Sequence, residues 1–164
     1  FRFRHTSVWK EIPSFVPGDN GYVATNTYYY VNQYTQYFTC VRKINPWSTK
    51  IDVQQGRGFV KASLEANYKI SFKGRNKGID IRFFAGQFFI KDNSGPYRFR
   101  MAGQRGFQDY LFDDTFLGRS DTKGIFSQQF TQTDGNFKVP TSVGQTGDWL
   151  IALNLKSSIH RKIH

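Results

Sequence analysis

Between Val60 and Phe72 apolar and polar residues alternate without interruption. Val60, Ala62, Leu64, Ala66, Tyr68, Ile70 and Phe72 fall on one face of an extended chain, and Lys61, Ser63, Glu65, Asn67, Lys69 and Ser71 on the other. At about 3.3 Å per residue this run reaches about 40 Å, well beyond the common soluble strand of about 5–6 residues. Such a strand crosses a bilayer's hydrocarbon core even when tilted. Soluble sandwiches and ligand-binding barrels also contain long alternating strands, so the pattern alone leaves both environments open.

The same period recurs along the chain. FRFRHTSVWKEI predicts a strand, followed by a loop at Pro13, Pro17 and the GDNG of 18–21. Tyr22 to Lys43 is rich in β-branched and aromatic residues and predicts one long strand or two short ones. After the Asn45-Pro46 turn, Ile51 and Val53 alternate with Asp52 and Gln54 up to Gly56-Arg57-Gly58. The KGRNKG loop then predicts a hairpin into a strand with Ile79, Ile81, Phe83 and Ala85 opposite Asp80, Arg82, Phe84 and Gly86. KDNSGP closes it and YRFRMAG predicts the next strand. GIFSQQFTQT, NFKVPTSVG and DWLIALNLKSS predict three more, the last with an apolar face of Trp149, Ile151, Leu153 and Leu155. From residue 103 to 123 the alternation weakens, and Asp109, Asp113, Asp114 and Asp121 gather among aromatics, which predicts a long loop with its own structure. The sum is about eight to ten strands in up-and-down order, an all-β antiparallel chain with no helical period and no domain linker. Residues 1–164 are expected to form a single barrel segment.

Composition supports β structure: 18% of the 164 residues are aromatic, with 17 Phe, 9 Tyr and frequent Gly. No apolar run approaches the roughly 18 residues of a membrane helix. The mean hydropathy of −0.55 does not argue against a membrane barrel, in which only alternate side chains meet lipid. A single cysteine, Cys40, precludes an internal disulfide and a multi-cysteine zinc site, and reads as a small, partly buried thiol. The net charge of +11 suits a nucleic-acid surface, an anionic membrane surface or a polar lumen with a charged rim. Basic residues fall at turns (Lys73, Arg75, Lys77), near the C-terminus (Arg161, Lys162) and alternately along strands (Arg2, Arg4, Arg98, Arg100). They form no single basic block.

Candidate chemistry is sparse. His5, His160 and His164 do not make the two-His-one-Glu motif of a helical zinc site, and the last two read as a solvated tail. Asp113, Asp114 and Asp121 could offer oxygens to calcium but lack EF-hand spacing, and read as solvated carboxylates or partners of Arg105 and Arg119. Glu65 and Asp80, on facing strands, are the one neighbouring carboxylate pair of the type glycosidases use; the alternative is a plain polar row. Arg57-Gly58-Phe59-Val60 faintly echoes an RNA-recognition core, and FRFR and YRFR would suit base stacking, yet the rest of such a module is missing, so nucleic acid is not the expected partner.

Several phrases together carry a family likeness: EANYKISF, GIDIRFFAGQFF, FQDYLFDDTFLGRSD, FSQQF and GDWLIALNLKSS. They resemble the outer-membrane β-barrel region of Bacteroidota surface proteins, especially the region joined C-terminally to large gluzincin-type metallopeptidases. The likeness covers roughly residues 47 to 158, with the D-Y-x-F/L-D…L-G-R-S phrase its most specific part; residues 1–46 match only as generic barrel strands. It implies an antiparallel barrel in the outer membrane, with peptidase chemistry in a separate upstream domain whose zinc motif is absent here. A more distant likeness, to surface-antigen barrels that insert other outer-membrane proteins, rests on Arg82 to Gly86, with Arg105-Gly106-Phe107 as a loose counterpart of their lid motif. Two features depart from the family: the chain ends in IHRKIH, without a terminal aromatic, and the strand number is smaller. A fragment of a longer chain is therefore expected, its edges completed by the remainder of the barrel or another outer-membrane polypeptide.

The expectation is thus an outer-membrane anchor or polar-lumen channel, with no catalysis, cofactor or metal site in this segment. Val60, Ala62, Leu64, Ala66, Tyr68, Ile70, Phe72, Ile79, Ile81 and Phe83 are expected to face the lipid bilayer, and Lys61, Glu65, Lys69, Asp80 and Arg82 the lumen. The alternative is a soluble all-β module binding a carbohydrate or a protein, with the apolar face packed on a second sheet.

Overall fold

The computed structural model describes residues 1–15, 22–72, 77–92, 97–102, 110–111, 134–137 and 144–158. These residues are all-β and contain no helix. The strands are β1 (Arg2–Phe15), β2 (Tyr22–Cys40), β3 (Trp47–Gly56), β4 (Phe59–Ser71), β5 (Gly78–Lys91), β6 (Phe99–Arg100), β7 (Gln145–Thr146) and β8 (Trp149–Ser158). Six form one antiparallel sheet in the order β1-β2-β3-β4-β5-β8, and β6 pairs with β7 in a separate small sheet. Among the described residues no ladder joins β1 to β8, so the sheet is not a closed barrel.

Tyr22 to Cys40 is one continuous strand, since its β-branched and aromatic run has a partner along its whole length. Residues 22–35 pair with β1 and residues 31–40 with β3, so the β1–β2 hairpin extends beyond the rest of the sheet. A two-residue turn at Arg57-Gly58 joins β3 to β4; Gly58 has φ +83, a conformation that glycine adopts without a steric penalty. The β4–β5 ladder shifts by one residue between Val60 and Lys61, leaving Phe89 without a partner. This bulge lets Phe89 and Ile90, adjacent in sequence, both be exposed.

Register sorts the side chains into two faces. On one lie Ile51, Val53, Val60, Ala62, Leu64, Ala66, Tyr68, Ile70, Ile79, Ile81, Phe83, Ala85, Trp149, Ile151, Leu153 and Leu155, opposite one another strand by strand. None of the residues of the buried hydrophobic cluster belongs to this face. On β8 it is broadly open, with Ile151 57% and Leu155 66% exposed. The other face carries Asp52, Gln54, Phe59, Lys61, Glu65, Lys69, Asp80, Arg82, Phe84, Phe88, Leu150 and Ala152, and part of it is covered by a second layer of chain from residues 97–102, 110–111 and 134–137.

The sequence pattern of YRFRMAG predicts a wall strand, and here the structure differs. Only Phe99–Arg100 is extended, and it lies in the second layer, paired with Gln145–Thr146. Arg98 is exposed but Tyr97, Phe99 and Arg100 are all buried, so the alternation breaks at Arg100. Gly86 explains the docking: a Cβ there would sit 2.6 Å from the Phe99 ring, so the missing side chain makes the seat for that aromatic. Of the expected loop at 103–123 only Tyr110 and Leu111 are among the described residues. All of GIFSQQFTQT falls outside the described residues, as does most of NFKVPTSVG.

Phe59 and Phe99, 1% and 0% exposed, anchor the core, with Val31, Phe84, Phe88, Tyr97, Leu150 and Ala152 around them. The rings of Phe59 and Tyr97 lie 3.9 Å apart and those of Phe88 and Phe99 4.8 Å apart. Burying each such ring contributes about 1.5–3 kcal/mol. Gly86→Val, which fills the Phe99 seat, is expected to cost about 1–3 kcal/mol, read as a lowered urea midpoint. Gln87→Val, on the open face, should stay within about 0.5 kcal/mol.

Candidate functional site

The two faces of the sheet make two surfaces of opposite character, and each has its own boundary. The apolar row from Val60 to Ile70 is about 33 Å long. At the 35–45° tilt of transmembrane strands it would stand about 25 Å tall, the height of a barrel's apolar band. At the Arg57-Gly58 end a hydrogen-bonded polar row crosses the same face. His5 Nδ1 donates to Asn32 Oδ1 (2.6 Å), Asn32 Nδ2 donates to Gln55 Oε1 (2.7 Å), and Ser7 Oγ lies 3.0 Å from His5 Nε2. Beyond that row sit aromatics with polar edges: Tyr30 stacks on His5, and Trp9 meets Tyr28 at 4.6 Å. Tyr34 and Trp149 line the near side of the row, and Trp47 and Tyr68 lie at the opposite end of the band. Amphipathic rings at both edges of an apolar band are what an interface between hydrocarbon and water selects.

The covered face concentrates charge instead. Asp52 is buried and accepts three hydrogen bonds, from Gln33 Nε2 (2.7 Å), Thr35 Oγ1 (2.7 Å) and Gln54 Nε2 (2.6 Å), which satisfies a carboxylate that would be costly to bury alone. Lys61, also buried, has its ammonium 5.1 Å from the Tyr110 ring centroid and 5.2 Å from that of Phe99. Arg82 is the hub. Its guanidinium donates to Glu65 (2.7 Å), to the Asp134 carbonyl (2.7 Å) and to Asn154 Oδ1 (3.0 Å), so one side chain ties β4, β8 and the second layer together. Asn154 Nδ2 donates to the Gly135 carbonyl (3.0 Å), and Tyr29 OH to the Tyr110 carbonyl (2.6 Å).

Asp134 accepts the Arg100 backbone N–H (2.9 Å). Although part of the residue reaches the surface, burial of its carboxyl pushes the group above the ordinary carboxylate range, against the opposing pull of Lys61, the Arg100 N–H and the Arg100 and Arg82 charges.

Each residue expected on the apolar side from Val60 through Ile70 and from Ile79 through Phe83 shares the open face, and Phe72 follows β4 as an exposed residue. Lys61, Glu65, Lys69, Asp80 and Arg82 share the opposite one. Glu65 and Asp80 do not converge. Glu65 faces Phe84 and binds Arg82, while Asp80 faces Lys69 at 3.8 Å, about 13 Å further along the sheet. Phe59 of the Arg57-Gly58-Phe59-Val60 phrase is core, as are Tyr97 and Phe99 of YRFR, so neither phrase offers rings for base stacking. Cys40 is half-buried. Among the described residues no three His, Cys, Asp or Glu side chains gather as metal ligands; Asp113, Asp114, Asp121, His160, His164 and the Arg105-Gly106-Phe107 phrase fall outside those residues.

Sequence reasoning missed the second layer as a partner of the charged face. Tyr110 and Asp134 contact it through long-range geometry, and no local period marks them. Asp52 and Gln54 were legible, since they alternate with Ile51 and Val53. Between the second layer and the end of the sheet that bears the 41–46 turn, a groove of about 990 Å³ opens, lined by Ser48, Asn67, Lys69, Arg82, Asn136 and Asn154 among others. No protein-family model, curated protein or solved structure matches the chain.

Two outcomes follow. Arg82→Leu and Glu65→Leu should each cost about 1–3 kcal/mol, because each strands a partly buried polar group, and the double variant should cost less than their sum in a thermodynamic cycle. A raised folded-state pKa means that Asp134 contributes stability below the ordinary Asp pKa and loses it as pH rises through the raised value. Asp134→Asn should therefore flatten that part of the stability–pH curve and stabilise the chain at neutral pH.

Proposed function

We propose that this chain is a sector of an outer-membrane β-barrel that anchors its protein in the bilayer, with its charged, partly filled face turned to the barrel interior and no catalytic role. The observation that carries the reading is the apolar face left open, while the covered face holds charged side chains beside the core. In a water-soluble sheet the apolar side takes the second layer and the charged side stays in solvent. Here the second layer packs on the mixed face, against the rings of Phe59, Phe84 and Phe88 and beside Lys61 and Arg82, while the row from Val60 to Ile70 has no core built on it. Lipid is the environment in which that arrangement is favourable, since alternate side chains of a membrane barrel turn apolar groups outward and polar ones inward.

Strand lengths and connections support the same reading. The strands β3, β4, β5 and β8 are 10, 13, 14 and 10 residues long, matching or exceeding the roughly 9–11 needed to span. The 41–46 and 72–77 connections are both short, whereas the opposite end joins the two-residue Arg57-Gly58 turn with the extended β1–β2 hairpin and the long connection between β5 and β8. Outer-membrane barrels place short turns in the periplasm and long loops outside. The β1 and β8 edges run antiparallel to each other, so completion of the wall takes an even number of further antiparallel strands, in keeping with a barrel built jointly with the remainder of a longer chain or another polypeptide. Because aromatic rings and the Arg82 hub fill part of the interior, we favour an anchor over an open channel.

The test is substitution on the two faces, with stability measured in lipid vesicles. Leu64→Arg, near the middle of the apolar row, should cost about 2–4 kcal/mol, and Gln55→Arg, in the polar row, about 0–1 kcal/mol. Equal, near-zero costs, or a chain that is monodisperse in buffer without detergent, would favour the soluble binding module instead.

A further inference from the structure

At the end of the sheet that carries the 41–46 and 72–77 connections, the apolar band meets a rim of one charge sign. Arg42, Lys43, Lys77 and Lys156 are exposed there, and Lys69 is half-buried. Asp80, 3.8 Å from Lys69, is the one carboxylate among the described residues 39–48, 67–72, 77–82 and 154–157. The opposite end is mixed: Glu11, Asp92 and Asp148 are exposed there alongside Lys10, Arg57 and Arg98. Apolar groups rise into the basic rim, since Val41 is 90% and Ile44 68% exposed, with Trp47, Tyr68 and Phe72 also exposed beside them.

The 41–46 turn, which carries Arg42 and Lys43, is fixed in place by hydrogen bonds to β4. The Ser71 N–H donates to Asn45 Oδ1 (2.9 Å) and the Lys69 N–H to the Pro46 carbonyl (3.0 Å), so the 41–46 turn is bonded along the end of β4. Asn45 takes a left-handed φ of 53, which its short polar side chain tolerates. The Phe72 N–H donates to the Lys77 carbonyl (3.0 Å), which pairs the described residues on either side of the next connection. With strands about 4.8 Å apart, the rim from β2 to β8 spans about 19 Å, room for several lipid headgroups side by side.

We propose that this rim binds the phosphate headgroups of anionic phospholipids in the leaflet it meets. The inference rests on the membrane-barrel reading above and adds to it a headgroup preference and a vertical position. Arg and Lys supply the charge-assisted donors that phosphate oxygens accept, while Val41, Ile44 and Trp47 enter the acyl boundary. A zwitterionic headgroup presents its own cation to the same rim and so gains less from it.

Tryptophan quenching in reconstituted vesicles tests this, because Trp47 lies at the rim and Trp149 near the mixed end. The chain is reconstituted as Trp9→Phe, Trp149→Phe in phosphatidylcholine–phosphatidylglycerol vesicles, with one or the other lipid carrying brominated acyl chains. Quenching of Trp47 should show brominated phosphatidylglycerol enriched at least about fivefold over brominated phosphatidylcholine at low salt, the factor expected for one cation near an anionic surface. The preference should fall with salt and disappear in Arg42→Gln, Lys43→Gln, Lys77→Gln. A chain retaining Trp149 in place of Trp47 should show none. Equal quenching of Trp47 by both lipids, or a preference that survives the triple substitution, overturns the headgroup proposal while leaving the membrane reading intact; absence of quenching by either lipid removes both.

Discussion

Through β3, β4, β5 and β8 the ladders keep one face largely apolar, row by row, and gather both the charged side chains and the buried aromatic core on the other. Because the pleat has period two, a slip of one residue in any of these ladders would send Leu64 and Ile81 onto Arg82 and Glu65 and turn charges out among Ala62, Ala85 and Ile151. The single shift that does occur, at Val60/Lys61, is taken up as a bulge that leaves Phe89 and Ile90 exposed together and keeps Phe88 in the core. The two-faced register is thus the constraint from which the rest of the molecule follows.

The charged face is the structurally demanding one. Asp52, Lys61 and Arg82 lie in the wall yet carry charges that water would otherwise solvate, and each is met by donors, acceptors or aromatic rings. Part of that satisfaction is local to the sheet, as with Gln33, Thr35 and Gln54 around Asp52. The remainder comes from the second layer, whose carbonyls at Asp134 and Gly135 take the donors of Arg82 and Asn154. Aromatic packing on Gly86 and hydrogen bonding at Arg82 therefore hold the same segment from two sides.

A sheet arranged this way has a direction as well as two faces. One end is extended and mixed in charge; the other has short, hydrogen-bonded turns and surplus positive charge beside exposed Trp47 and Tyr68. A bilayer imposes both asymmetries at once, since its core demands satisfied backbone groups and apolar side chains, and its surface presents phosphate. The proposed anchoring role and the proposed headgroup preference would both follow from one polarity pattern.

Alternation at 51–54, 60–72, 79–86 and 149–155 was enough to read the strands, their antiparallel order and the face to which each residue belongs, because the pleat is a local property with a fixed period. Gly56-Arg57-Gly58 and the Asn45-Pro46 pair likewise marked turns through backbone conformation alone. Tertiary structure decided what local period cannot encode: that β5 pairs with β8 across a long connection, that YRFRMAG leaves the wall, and that Tyr97, Phe99, Tyr110 and Asp134 complete the charged face. Those contacts join residues far apart in sequence, and they depend on the vacancy at Gly86 and the reach of Arg82 instead of any repeat along the chain.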